Sequence, residues 1–240
     1  MQISISDIDS QRFGMNVVMT KSTSINDLND LNIFCIENDV QLSIVRILSS
    51  ELAVIQKMEK DGYRLMDTLV YYAFKFAKKS IPELVSNYHL RPVTQDDVAA
   101  VSEIATASFE GYYGHYHADP NLPDDKCDEV YIDWAKKSVT SRDIADEVLV
   151  VENGNRLDAF ATLCMNNELE GEEVLFGVAP HAQGQGMYRS MMIEGMRWCN
   201  QQGAERMAVS TQITNIAVQK VWARLGFEMD HSYYTLYKWF

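Results

Sequence analysis

The sequence has few cysteines, no closely spaced pair of them and no long apolar run. The four cysteines stand far apart, which argues against a zinc site and a disulfide framework and predicts reduced, mostly buried thiols: Cys35, Cys127, Cys164 and Cys199. No stretch approaches the roughly 20 apolar residues of a membrane span, and residues 1–10 lack a basic segment followed by an apolar run. We therefore expect a cytoplasmic protein without a membrane partner.

An excess of basic residues is also missing. The 240 residues contain 21 Lys and Arg against 34 Asp and Glu, a formal net charge of −13. Nucleic-acid binding depends largely on Lys and Arg displacing counterions, so this balance excludes a DNA or RNA partner. A small anionic ligand is still compatible, because distant charges are screened beyond roughly 8 Å whereas backbone donors contact the ligand directly.

Glycine and proline are scarce in residues 1–86. The pattern there predicts a strand at 42–47, a helix at 50–60 capped by Ser50, and a long strand at 63–76. The character of the sequence changes around residues 86–91. We therefore predict an amino-terminal domain of residues 1–86 and a second domain of residues 87–240.

The second part alternates strand and helix patterns. The predicted elements are a helix at 95–109 capped by Thr94, a helix at 128–139, strands at 147–152 and 156–165, a strand at 174–179, a helix at 185–202, a strand at 207–211, a helix at 215–225 and a final strand at 227–239. The glycine turn between strands 147–152 and 156–165 predicts an antiparallel hairpin. A crossover follows it, so the fold class is α/β with a mixed sheet.

The stretch VAPHAQGQGMYR, residues 178–189, places two glycines directly before a helix. Bare backbone at a helix start can approach a phosphate closely. A P-loop would need Lys-Ser or Lys-Thr after the last glycine, where Met187 and Tyr188 stand, and a dinucleotide fingerprint would need a third glycine in place of Arg189. An acyl-CoA site remains, with the pyrophosphate on amides 184–188, beside the alternative of a plain tight turn.

The residues of this loop resemble the CoA signature of the GNAT superfamily of N-acyltransferases, Gln/Arg-x-x-Gly-x-Gly/Ala after a Val-x-Pro strand end. Gln183, Gly186 and the lead-in from Val178 to Pro180 match it. Tyr188 departs from it, because it occupies the position of the last small residue.

A second match is NIAVQKVWARLGF, residues 215–227, which is similar to the family's Asn-x-x-Ala-x-x-x-Tyr-x-x-x-Gly-Phe element. The family's usual tyrosine, which protonates the departing CoA thiolate, corresponds to Trp222. An indole has no acidic proton near neutral pH. The resemblance therefore leaves the acid to Tyr234 or Tyr233, or to water or the ammonium proton.

The resemblance implies acetyl-CoA as co-substrate and a GNAT domain preceded by a smaller, partial GNAT-like α/β domain. It implies that ten residues contact the cofactor: Phe176, Val178, Gln183, Gly184, Gln185, Gly186, Met187, Tyr188, Asn215 and Trp222. The implied catalytic groups are the backbone amide of Val178, which polarises the thioester carbonyl, Tyr234 as the acid, and Glu173, or its neighbour Glu172, as a base acting through water.

The loop FEGYYGHYHADPNLP, residues 109–123, is the predicted acceptor site, because long irregular loops tend to be functional and aromatic faces stack on rings. The expected contacts are Tyr113, His115, Tyr116 and His117, beside Tyr112. The two histidines could instead be metal ligands, but no third ligand has a recognisable spacing, so we predict no metal.

A finer resemblance links most of the chain to acetyltransferases of the dTDP-fucosamine type, on DSQRFGMN (residues 9–16), STQ (210–212) and SYYTLY (232–237). It implies N-acetylation of a nucleotide-linked amino-deoxysugar in polysaccharide synthesis. The alternatives are acetylation of a peptide, polyamine or drug amine, and a CoA-binding module without catalysis. The oligomeric state stays open, a homodimer included.

Overall fold

One mixed sheet of nine strands organises the protein. The computed structural model describes residues 3–22, 24–84 and 88–240. The strands are β1 (Val17–Ser22), β2 (Leu42–Leu48), β3 (Arg64–Lys75), β4 (His89–Pro92), β5 (Glu147–Asn153), β6 (Arg156–Asn167), β7 (Glu170–Val178), β8 (Arg206–Gln212) and β9 (Glu228–Trp239). The helices are α1 (Asp7–Phe13), α2 (Ile25–Glu37), α3 (Leu52–Lys60), α4 (Val98–Phe109), α5 (Asp124–Thr140), α6 (Met187–Gln201) and α7 (Ile216–Leu225).

The strand order is β1-β2-β9-β3-β8-β7-β6-β5-β4. Two neighbouring pairs, β1 with β2 and β7 with β8, are parallel, and the other pairs are antiparallel. The predicted α/β class with a mixed sheet is confirmed, including the antiparallel hairpin of β5 and β6.

Strands from the two predicted domains alternate in this sheet. β3, from the amino-terminal part, lies between β8 and β9, and β9 lies between β2 and β3. The predicted boundary at residues 86 and 87 lies outside the described residues, so the division into 1–86 and 87–240 stays a prediction. The backbone hydrogen bonds of the sheet run through both parts.

Helices cover both faces of the sheet. On the front face, Ile44 and Tyr237 pack against Tyr116 and Val130, which belong to the loop after α4 and to α5. On the rear face, β2 and β9 pack against α2 and α3, whereas β8 packs against α6 and α7. Because side chains alternate along a strand, neighbouring residues of β7 or β9 serve different faces.

Several predicted helix starts shift by a few residues. The helix predicted from Ser50 begins at Leu52 with Glu51 as N-cap and without a side-chain cap bond, so the prediction of a Ser50 cap is wrong. Helix α5 begins at Asp124, four residues before the predicted start. Acidic residues in its first turn favour this start, because they complement the helix dipole.

Candidate active site

The parallel strands β7 and β8 pair over a short distance and then separate. Their ladder runs from Glu170 opposite Arg206 to Glu173 opposite Val209. Val174 is the extra residue of a bulge, since Glu173 pairs with Leu163 and Leu175 with Thr162 on β6. A bulge bends its strand, so β7 turns away from β8 at this point. The result is a fork in the sheet, closed at Glu173 and open toward Val178.

The backbone of β7 directs alternate amides into the fork. The Ala179 amide donates to the Asp158 carbonyl at 2.8 Å and the Leu175 amide donates to Thr162 Oγ1 at 3.0 Å, both on the β6 side. The amides of Phe176 and Val178 therefore point the other way, beyond the end of the ladder with β8. Phe176 lies nearer than Val178 to the closed end of the fork.

The glycine loop follows the open end. Gly184 and Gly186 have φ values of 74° and 85°, in the left-handed region that favours glycine, and Met187 begins α6. This geometry explains why the predicted helix start at Gln185 shifts by two residues. Among the described residues, the amides of 184–188 have no backbone acceptor, whereas the Gln183 amide bonds to the Pro180 carbonyl at 3.4 Å. The N-terminus of α6 thus presents donors to an anion.

Two aromatic residues from different helices form the rear wall of the fork. Trp222 of α7 is 2% exposed and its Nε1 donates to the Tyr188 hydroxyl at 2.7 Å. The Tyr188 ring packs edge-on against Phe176, with ring centroids 4.4 Å apart. Burial raises the pKa of Tyr188 well above its ordinary value, and the nearby Glu173 raises it further. The phenol is therefore protonated at neutral pH.

The neighbours Glu172 and Glu173 serve opposite faces. Glu173 is on the rear face, 6% exposed, and neither carboxylate oxygen has a hydrogen-bond partner among the described residues. Burial raises its pKa to about 8. Room for its carboxylate depends on Gly195, where an added Cβ would lie 2.6 Å from Glu173 Oε2.

Glu172 is on the front face, where Asn166 Nδ2 donates to its Oε2 at 2.8 Å. Burial also raises the pKa of this carboxyl. Both glutamates line the large cavity described next.

A cavity of about 1230 Å³ passes through the fork and continues over the front face. It contacts nine of the ten predicted cofactor residues: Phe176, Val178, Gln183, Gly184, Gly186, Met187, Tyr188, Asn215 and Trp222. Gln185 does not line it, since its side chain donates to the His181 carbonyl at 3.0 Å. Asn215 caps α7, with Oδ1 accepting from the Val218 amide at 3.4 Å.

The aromatic loop contributes only part of the predicted acceptor contacts. His115 and Tyr116 line the cavity; His115 Nδ1 lies 2.5 Å from the Tyr237 hydroxyl, and the Tyr116 hydroxyl donates to Asp9 Oδ1 at 2.9 Å. Burial and then the charge of Arg46 hold the pKa of His115 well below its ordinary value. The ring is therefore neutral.

The other two predicted contacts of this loop do not line the cavity, and their role stays a prediction. Tyr113 is 68% exposed and does not line the cavity. His117 Nε2 lies 3.1 Å from Asp128 Oδ1, on the outer side of the loop. The residue types of the loop could not distinguish inward from outward side chains, since that depends on how the loop packs on α5.

The predicted acid Tyr234 is also misplaced. Its side chain is on the rear face, packed against the amino-terminal core with Ile3, Ile5 and Phe34, and it does not line the cavity. Tyr233 is on the front face but packs between Tyr71 and the Lys21 ammonium, outside the large cavity. Neither side chain therefore faces the cavity, and an acid role for either tyrosine stays a prediction.

Several cavity residues have no counterpart in the sequence predictions. They are Arg46 of β2, Leu69 and Tyr71 of β3, Gln212 of β8, Tyr131 of α5 and Arg12 of α1. An arginine inside the otherwise apolar run of β2 is a signal that the sequence does carry. The position of β3 beside β8 is not visible locally, so the residues of β3 could not be assigned to the site.

Within the described residues, no helix is long and apolar enough to cross a membrane. The same residues contain no group of three or more His, Cys, Asp or Glu side chains arranged to hold a metal ion.

The sequence of this chain is similar to sequences of known proteins. The model of the acetyltransferase (GNAT) family matches residues 99–227, more than half of the chain. The spore coat polysaccharide biosynthesis protein SpsD of Bacillus subtilis is 24% identical over 152 residues, 63% of this chain and 51% of that protein. The match thus spans about half the length of this curated relative.

Solved structures share the fold. A GCN5-related N-acetyltransferase from Sphaerobacter thermophilus superposes with a TM-score of 0.66 at 13% identity, over 99% of this chain and 75% of that one. A conserved protein of unknown function from Staphylococcus epidermidis gives a TM-score of 0.64 at 14% identity, over 99% of this chain and 90% of that one. The likeness extends across the interleaved sheet and is not confined to the part that the family model matches.

Proposed function

The chain belongs to the acetyltransferase (GNAT) family, whose members use acetyl-CoA, and from this premise we propose that it transfers an acetyl group from acetyl-CoA to a small-molecule amine. We further propose that this amine belongs to a nucleotide-linked amino-deoxysugar. The geometry of the fork is the observation that supports this proposal. At its open end the amides of 184–188 can donate to a phosphate, and along β7 the amides of Phe176 and Val178 point into the fork. The front face beside it is lined by aromatic side chains.

Coenzyme A fits the fork in one direction. Its pyrophosphate would meet the amides of 184–188 at the start of α6, where the helix dipole adds about 0.3–1 kcal/mol to direct hydrogen bonds. The extended pantetheine arm would then follow β7 toward the closed end. The amide groups of this arm would pair with Val178, and the thioester carbonyl would accept a hydrogen bond from the amide of Phe176. The donor predicted from the sequence is the amide of Val178, and Phe176 lies two residues nearer to the closed end of the fork. A donor of this kind lowers a barrier by about 3–4 kcal/mol.

The acceptor amine would approach from the front face. A neutral nitrogen attacks the thioester carbon, the carbonyl oxygen gains negative charge against the Phe176 amide, and the carbon–sulfur bond then breaks. The attacking nitrogen loses one proton. Glu172 faces the side of entry and has a raised pKa, so it suits this proton better than Glu173, which is enclosed on the rear face.

Tyr188 replaces Tyr234 as the proposed acid. An indole N–H can only donate, so the Tyr188 oxygen accepts from Trp222 and its own proton is left for another acceptor. The thiolate of CoA would take this proton. The phenol thus comes from α6, and Trp222 occupies the position where relatives carry a tyrosine on α7.

Three observations support the acceptor class. The front wall offers several aromatic rings that can stack on a sugar or base, among them Phe109, Tyr112 and Tyr131. The name of SpsD refers to polysaccharide biosynthesis, which uses activated sugars as a class. The finer resemblance to acetyltransferases of the dTDP-fucosamine type agrees with this class.

The test is release of free thiol from acetyl-CoA in the presence of an amine panel. The panel contains nucleotide-linked amino sugars, the same free amino sugars, polyamines and short peptides. We expect release to be fastest with the nucleotide-linked sugars. Thiol release only with polyamines or peptides would reject the amino sugar as the acceptor. CoA binding without thiol release in the presence of any amine would indicate a CoA-binding module without catalysis.

A further inference from the structure

We propose that Arg46 binds an anionic group carried by the acceptor, so that the substrate is an amine that also bears a phosphate or a carboxylate. The proposal deepens the proposed function and rests on it. It concerns a part of the cavity on the front face, over β2, β9 and β3.

Arg46 sits in the middle of β2, in the sequence LSIVRIL. It lines the cavity, and its Nε is buried without a hydrogen-bond partner. Thr235 of β9 is its cross-strand neighbour, and Asp67 of β3 is the neighbour of Thr235. Thr235 Oγ1 and Asp67 Oδ2 are also buried without partners, so a row of unsatisfied polar atoms crosses three strands.

Six other arginines have carboxylate partners within the described residues, whereas Arg64, Arg189 and Arg224 do not. Arg12 pairs with Asp133 at 3.0 Å, and Arg91 pairs with Asp97 at 2.8 Å and with Glu152 at 3.1 Å. The guanidinium of Arg46 has no ion pair or hydrogen bond within the part of the chain that the structure describes. Keeping a guanidinium in a mostly apolar strand without a partner is costly, which is a reason to expect a ligand there.

The cofactor does not account for this charge. β9, β3 and β8 follow β2 in the sheet, so β2 lies three strand spacings, roughly 14 Å, from β8 at the edge of the fork. The CoA phosphates belong at the other end, beside the start of α6. Arg189 and Arg224 line the cavity from α6 and α7, so that end has cations of its own.

Both uncharged hydrogen-bonding side chains and carboxyl groups surround Arg46. His115 is neutral for the reason given above, and burial raises the pKa of Tyr71 and brings that of Tyr112 to about 12. Asp67 and Glu172 are acidic neighbours, and burial raises the pKa of each. Asp9, which accepts a hydrogen bond from Tyr116, also lines the cavity. Arg12 and Lys137 also line the cavity but both pair with Asp133, so Arg46 is the cation of this region that has no ion pair within the described residues.

Two sources of the anion share the same chemistry. A guanidinium presents a planar set of donors that matches the oxygens of a phosphate or a carboxylate. The phosphates of a sugar nucleotide would lie away from the reacting amine, which suits the separation between the fork and β2. An amino acid would supply a carboxylate closer to its amine.

The first experiment compares acceptors that differ only in charge. One pair is a free amino sugar and the same sugar on a nucleoside diphosphate, and the other is an amino acid and its carboxamide. For the wild type we expect a lower KM for the anionic member of at least one pair. In Arg46→Gln that KM should rise about 10- to 100-fold, while the KM for acetyl-CoA and the turnover of the neutral member stay unchanged.

Arg46→Lys should recover part of the loss, because it restores the charge without the planar donors. The matched control is Arg64→Gln, which removes the same charge from an exposed position on β3 outside the cavity. Equal losses on charged and neutral acceptors, or equal effects of the two Gln variants, would overturn the role of Arg46.

A binding measurement separates this proposal from the proposed function. With the cofactor site saturated by CoA, uridine diphosphate is titrated into the wild type and into Arg46→Gln by calorimetry, with glutamate as the carboxylate probe. Binding of either probe to the wild type, weakened about 10-fold or more in the variant, supports the anion site even if no amine is acetylated. The absence of binding by both probes, or equal binding to both proteins, rejects it.

Discussion

The indole N–H of Trp222 donates a hydrogen bond to the hydroxyl of Tyr188 across 2.7 Å. Both residues depart from the family patterns that the sequence resembles. Tyr188 stands in place of a small residue and Trp222 in place of a tyrosine. The departures compensate each other, since the larger residue at 188 brings a phenol to the rear wall and the indole holds its oxygen.

Removal of that phenol tests its role as acid. We expect Tyr188→Phe to lower kcat roughly 10- to 100-fold, at the low end for a positioned acid because a thiol of ordinary pKa leaves readily. The KM for acetyl-CoA should change little, since the ring that packs on Phe176 is kept. Thiol release under saturating substrate measures the effect.

The control is Tyr72→Phe, which removes a phenol that packs against the same Trp222 but does not line the cavity. Its kcat should equal that of the wild type. A Tyr188→Phe enzyme with unchanged kcat would show that water or the ammonium proton serves the thiolate.

The glycine loop gives a prediction for cofactor affinity. Gly186 has a φ of 85° and lies where the pyrophosphate is proposed to bind. Gly186→Asp should weaken CoA binding by roughly 100-fold, about 2.7 kcal/mol, because it adds a carboxylate beside the pyrophosphate and strains the loop. Isothermal titration with CoA gives the dissociation constants.

Gly154→Ala is a control for the strain that results when a glycine of positive φ is replaced without adding a charge. Gly154 also has a positive φ, 63°, and lies in the remote turn between β5 and β6. The alanine there should leave CoA affinity unchanged at some cost in stability. Wild-type affinity in Gly186→Asp would mean that the pyrophosphate binds elsewhere.

The local structure of the glycine loop and of the start of α7 could be predicted from the sequence, and the reason is local chemistry. Gly184, Gly186 and Asn215 act where they stand in the chain, as a left-handed turn and a helix cap. Such features leave a signature within a few residues, so the sequence indicates the loop, and nine of the ten predicted cofactor residues line the cavity. Their contact with the cofactor stays a prediction.

The rest of the site depends on strand neighbours that are distant in sequence. Tyr234 is an expected acid because it is among the tyrosines nearest to Trp222 in sequence. The alternation of β9 turns it to the rear face while Thr235 turns to the front. Arg46 and Tyr71 reach the cavity only because β3 and β9 interleave with strands of the other half. In the first 41 residues α1, β1 and α2 were not predicted, although Ser6 and Ser24 cap the two helices.

The assignment of Glu172 as base predicts a change in the pH profile. A base must be deprotonated, and burial raises the pKa of Glu172 above 4.5, so kcat/KM should rise with pH through a limb above that value. Glu172→Gln should lose this limb and fall roughly 10²-fold in kcat/KM on the plateau. Profiles from thiol release at saturating acetyl-CoA test this.

Deprotonation of the acceptor amine also produces a limb in the pH profile of kcat/KM, and a control must distinguish it from the limb of Glu172. Two acceptors whose amines differ in pKa should shift the amine limb and leave the Glu172 limb in place. If Glu173→Gln removes the fixed limb and Glu172→Gln keeps it, the base is Glu173, as the sequence predicted.

The enclosed carboxyl of Glu173 predicts an unusual pH dependence of stability. Its pKa is about 8 in the folded protein and near 4.5 when exposed, so between these values the folded chain holds a proton that the unfolded chain has lost. Stability from this group is present below pH 4.5 and is lost as pH rises toward 8, by at most about 1.4 kcal/mol per pH unit. Glu173→Gln cannot ionise, so its free energy of unfolding relative to the wild type should increase from pH 5 to pH 8.

Urea unfolding at several pH values measures the free energy of unfolding of both proteins. The control Glu168→Gln, at an exposed turn position, should follow the wild type. Parallel curves for wild type and Glu173→Gln would mean that water or a cation reaches this carboxylate in solution.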